Sequence, residues 1–132
     1  MRRRLLLVLA LMSVFATATG ASAASEKKKG GGESYLQFET LTATLDKGGG
    51  RHGVLTVEMG LDVPDGSLRG RAEALEPRLR DAYIRFLITY AAGVAPGAPP
   101  NPDAIAAALQ RATDTVLGQP GAKLLLGTIL AS

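Results

Sequence analysis

The sequence predicts an α+β domain in the order strand-strand-helix-helix-strand. Three observations carry that prediction. Arg51 to Val63 alternates, with Leu55, Val57, Met59, Leu61 and Val63 in one phase and Val54, Thr56, Glu58, Gly60 and Asp62 in the other. Leu68 to Tyr90 repeats its apolar residues mostly every three or four positions, as one side of a helix does. An apolar run from Ala122 to Ala131 follows a second helical segment. An antiparallel hairpin joined by the C-terminal strand would give the long amphipathic helix a sheet to lie on.

The elements follow in order. Arg2, Arg3 and Arg4 precede an apolar run from Leu5 to Phe15, and the segment ends in Ala21-Ser22-Ala23. Residues 1-23 are therefore expected to be a secretory signal peptide. The residues around the arginines do not complete a twin-arginine signal. An uncleaved anchor is the alternative, because Leu5 to Ala24 approaches the ~20 residues of a spanning helix. Either outcome places the following domain outside the cytoplasm: exported and periplasmic, or periplasmic and anchored in the inner membrane by residues 5-24. Residues 24-34, rich in lysine and glycine, are expected to be a flexible tether. Lys27, Lys28 and Lys29 could touch anionic headgroups, but three lysines fall short of the usual cluster and a solvated linker is the simpler reading.

The domain proper spans 35-132. Tyr35 to Leu45 is expected to be a strand whose apolar phase changes near Glu39 and Thr40, which predicts a bulge or bend there. Asp46 to Gly50 supplies a hairpin loop. Pro64-Asp65-Gly66 ends the next strand, and Asp65 or Ser67 can cap the helix that follows. Pro77 should kink or divide that helix, leaving Pro77 to Tyr90 as the better half. Glu76 with Arg80, and Asp81 with Arg85, have the i,i+4 spacing that favours ion pairs. Ala92 to Pro100 reads as a loop. Asn101 then caps a second helix with a stripe of Ile105, Leu109, Ala112 and Val116, stopped at Gly118 and Pro120. Ala122 to Ala131 is apolar in both phases, so an inner strand is expected, paired on both edges or covered on both faces.

Charge and chemistry narrow the function. The whole chain is formally +3, but from Ala24 onward twelve basic residues meet twelve acidic ones. That balance gives no basic footprint for nucleic acid. Cysteine is absent, which removes disulfides, thiolate metal sites and thiol nucleophiles. His52 is the only histidine, and no serine or acidic pair stands at a spacing that completes a catalytic set with it. Gly48 to Gly50 lacks the G-K-[ST] ending of a phosphate loop. No catalytic, cofactor-binding or metal residue is therefore assigned, and the chain is expected not to be an enzyme. Arg78, Arg80 and Arg85 form the candidate interaction face, with internal pairing to Glu76 and Asp81 as the plainer explanation of the same charges.

Several segments carry a resemblance. Tyr35-Leu36 with Leu41 to Leu45, Arg51 to Val57, Leu75 to Ile84 and Leu124 to Leu130 resemble, in that order, successive segments of the FliL family, the flagellar basal-body-associated proteins. Arg80-Asp81-Ala82 within the helix segment is the most specific match. The resemblance covers about Tyr35 to Ala131. It implies a non-enzymatic bacterial protein with a stomatin-like (SPFH-like) periplasmic domain. It further implies self-association into a homo-oligomer, contact with the flagellar stator or basal body at the inner membrane, and support of motility. The sequence departs from the family in its signal-like N-terminus and in its alanine- and proline-rich loop. A soluble periplasmic binding or adaptor module outside the flagellum is the competing expectation.

Overall fold

The computed structural model describes residues 32–132, so the expected signal or anchor and most of the tether lie outside the described residues. The domain is α+β: an antiparallel sheet carries a layer of helices on one face. Strand β3 (Arg51–Asp62) is its axis. Strands β1 (Tyr35–Gln37) and β2 (Leu41–Gly48) follow one another along one edge of β3, and β4 (Lys123–Ala131) runs along the other. Helices α1 (Gly66–Ala74), α2 (Glu76–Gly93) and α3 (Pro102–Leu117) lie between β3 and β4 in the chain.

The predicted phase change near Glu39 and Thr40 is a break between β1 and β2. Gln37 faces Gly60 and Leu41 faces Val57, and the Phe38 amide still donates to the Met59 carbonyl. One residue more is used on this edge than on β3, so both apolar phases reach the same face. The opposite edge does the same thing at the same level. Val57 faces Ile129 and Met59 faces Leu126, leaving Gly127 and Thr128 against Glu58. Both neighbours of β3 therefore bulge beside Glu58, where the sheet's twist should be strongest.

The inner face carries Leu41, Ala43 and Leu45 from β2 and Leu55, Val57, Met59 and Leu61 from β3, all buried. Against it α2 sets Leu79, Tyr83, Leu87 and Ala91, and α3 sets Ile105, Leu109, Thr113 and Leu117. Phe38 meets the Tyr83 ring edge-on with centroids 5.4 Å apart. The helix boundaries have local causes. Asp65 accepts from the Ser67 amide at 3.3 Å to cap α1. Pro77 cannot donate a backbone hydrogen bond and would collide with the carbonyl of residue 73 in an unbroken helix. The chain leaves helical geometry at Leu75, and Pro77 occupies the first turn of α2. The Asn101 carboxamide accepts from the Ala104 amide at 3.2 Å, and Gly118 ends α3 at φ 76°, in the left-handed region.

Three expectations are corrected. Strand β4 is an edge strand among the described residues, not an inner one: there it pairs only with β3, and Leu125 and Leu130 are exposed on its outer side. Its apolar residues fill both phases because the bulge at Gly127 and Thr128 reverses the phase midway. The buried stripe of α3 runs through Thr113 and Leu117, while Ala112 and Val116 are only half-buried. Thr113 tolerates burial because its hydroxyl donates to the Leu109 carbonyl at 2.8 Å and meets the Tyr83 hydroxyl at 2.6 Å. Finally, Arg80 does not pair with Glu76. It crosses to the break in the β1/β2 edge, donating to the Glu39 carbonyl at 3.2 Å with the Glu39 carboxylate at 3.9 Å.

Candidate interaction surface

The arginines of α2 do not form one face. At about 100° per residue, Arg78 and Arg85 are seven positions apart and share a side, while Arg80 projects from another. Arg78 and Arg85 border a shallow depression between α2 and α3, with Asp81 and Val116 also on its lining. Arg85 is held by Asp81 at 2.9 Å, as the spacing predicts, and both side chains are mostly exposed. An exposed pair of this kind contributes roughly 0.3–0.5 kcal/mol. Arg80, half-buried and bound to Glu39, ties the helix layer to the sheet edge. The candidate face thus reduces to Arg78 and Arg85.

His52 is exposed and lies opposite Asp46 across the hairpin. The Asp46 carboxylate accepts from the Gly48 amide at 2.8 Å, which explains it as a turn residue. Among the described residues no group of three or more histidine, aspartate or glutamate side chains is placed to hold a metal ion. One titratable group among the described residues is strongly perturbed. Burial pushes the Tyr83 hydroxyl up to about 12, with the Asp114 charge adding to the rise. This group belongs to the core between α2 and α3 and has no path to a substrate.

Two further surfaces emerge only in three dimensions. Among the described residues the outer face of the sheet carries no helix. Val54, Leu125 and Leu130 are exposed there, and the Tyr35 ring lies over Gly60, whose missing side chain leaves the room. Beside it runs the free edge of β4. The Phe38–Met59 and Val54–Ser132 hydrogen bonds fix which groups point each way. By alternation, Leu124, Leu126, Ile129 and Ala131 direct their backbone groups away from β3. Gln110 caps one end of that edge, accepting from the Leu124 amide and donating to the Ala122 carbonyl, each at 2.8 Å. Its amide takes the place of a neighbouring peptide group. The sequence signal for the bulge was Gly127 inside an apolar run, a common mark of strand irregularity. No local pattern announces the Gln110 cap, which joins residues 14 apart.

Comparison of the chain with known protein families, with curated proteins and with solved structures finds no match to any of them. Among the described residues no helix is long and apolar enough to cross a membrane.

Proposed function

We propose that the chain is a FliL-like, non-enzymatic component of the flagellar basal body, acting through self-association or contact with the stator. The observation that carries this reading is the ordered series of segments ending in Arg80-Asp81-Ala82 and the closing strand. In the fold those segments are β1 and β2, the start of β3, the first half of α2, and β4. They make up most of the sheet and the helix laid against β2, so the resemblance follows one structural unit. A role in assembly is also supported by surface. An uncovered sheet face with exposed Leu125 and Leu130 beside an edge left open from Leu126 onward offers apolar area and backbone hydrogen bonds to another protein.

The test is deletion of the gene, scored by swimming and swarming, with the native protein's mass in solution measured by sedimentation. Impaired motility that returns with the wild-type gene supports the reading. Unchanged motility together with a strictly monomeric protein overturns it. Recovery of a mature protein starting at Ala24 in the osmotic-shock fraction, without a motility defect, favours the soluble adaptor instead.

A further inference from the structure

The helix layer is shorter than the sheet. Helix α2 ends at Gly93 and α3 begins at Pro102, and at the hairpin end the sheet faces the loop between them, not the helices. The connecting loop bridges this end instead of filling it. Pro96 approaches to about 3.5 Å of the place a Gly48 side chain would occupy, and the Asn101 amide donates to the Tyr90 hydroxyl at 2.7 Å, so the loop is fastened at both ends. Three prolines within it, Pro96, Pro99 and Pro100, limit its freedom to collapse. The result is a cleft of about 610 Å³ between the loop and the sheet, within the size range of small-molecule sites.

Its chemistry is divided. Leu45, Ile129 and Ala131 supply an apolar floor, and Val94 with Pro99 an apolar wall. Two cations stand at the hairpin end. Lys47 and Arg51 both line the cleft, both are exposed, and neither forms an ion pair among the described residues. The Lys47 stem and, closer still, the Ser132 carbonyl oxygen lie over Gly53, which has no side chain to meet them. The one carboxylate on the lining, Asp46, already accepts from the Gly48 amide.

We propose that this cleft binds an amphiphile with an alkyl chain and a single anionic head. The chain lies on Leu45, Ile129 and Ala131, and the head sits between Lys47 and Arg51. Both parts of the site are needed: apolar area draws the chain from water, and the two cations fix its direction. This reading does not depend on a flagellar role, and a normal motility phenotype would leave it standing.

The test is calorimetric titration of the full-length chain, with NMR of backbone amides to locate binding. Octanoate and decanoate serve as probes for a fatty acid, dihexanoyl phosphatidylglycerol for a lipid headgroup, and decyltrimethylammonium as the reversed-charge control. Saturable binding of either anionic probe, shifting Leu45, Ile129 and Ala131, is expected. Affinity should tighten roughly fourfold for each methylene that enters the cleft. Whichever anion binds more tightly identifies the source. The double variant Lys47→Ala/Arg51→Ala, on exposed side chains, should weaken binding about tenfold while leaving the melting curve in place. Equal binding of the cationic control, shifts located elsewhere, unchanged affinity in the double variant, or no binding of either anion overturns the proposal.

Discussion

The Tyr83–Thr113 pair makes an asymmetric prediction. Both side chains are fully buried between α2 and α3, with hydroxyls 2.6 Å apart. The Thr113 hydroxyl proton is used on the Leu109 carbonyl at 2.8 Å, so the Tyr83 hydroxyl is the donor and Thr113 Oγ1 the acceptor. Thr113→Val keeps the shape and removes the acceptor. The Tyr83 O–H is then stranded, which costs about 1–3 kcal/mol. Tyr83→Phe removes the donor and leaves Thr113 its bond to Leu109, so the loss should be only about 0.5–1.5 kcal/mol. In the double variant no donor is left unpaired, and its cost should fall short of the sum of the two singles by about 1 kcal/mol or more. Urea denaturation of the four proteins, followed by circular dichroism, measures the cycle. For a domain near 100 residues each kcal/mol corresponds to about 4–8 °C in melting temperature. If Tyr83→Phe proved as costly as Thr113→Val, or the two costs simply added, the assigned donor direction would be wrong.

Other outcomes follow from the same geometry. Because the Tyr83 hydroxyl is raised from 10.0 to about 12, its neutral form is favoured in the fold. Its contribution is complete below pH 10 and declines as pH rises through 12, by roughly 2–3 kcal/mol in all. Alkaline titration of stability should show this decline, and Tyr83→Phe should remove it. Asn101→Ala deletes the cap on the Ala104 amide and should cost about 1 kcal/mol by thermal melting. Gly118→Ala places a side chain at φ 76° and should cost about 1 kcal/mol. Arg85→Ala, by contrast, removes an exposed ion pair and should stay within roughly 0.5 kcal/mol of wild type.

Local chemistry made much of the fold legible. The phase change at Glu39 and Thr40, the divided helix at Pro77 and the caps at Asp65 and Asn101 all depend on residues close together in the chain. Their structural outcomes match those local rules. The candidate site was less legible. Arg78, Arg80 and Arg85 share a helix, but which partner each takes depends on what lies nearby in space. Asp81 keeps Arg85, while Glu39, far away in sequence, takes Arg80 from Glu76. The cleft has no sequence signature, because its floor comes from β2 and β4 and its roof from a loop whose length matters only once the helices are in place.

The sequence alone determined the α+β class, the extent of the central strand, the second long helix and the closing strand, and the places where the first strand and the first helix break. These rest on periodicity, capping and proline geometry, which act over a few residues. Only the tertiary structure decided that β4 is an edge strand, that α3 buries Thr113 and Leu117, and that the sheet outruns its helices. The physical reason is common to all three. An apolar residue is recognisable from its neighbours in the chain, but whether it is covered depends on what other elements reach it. A bulge that adds one residue changes the face, and a loop standing where a helix could have continued leaves a cleft.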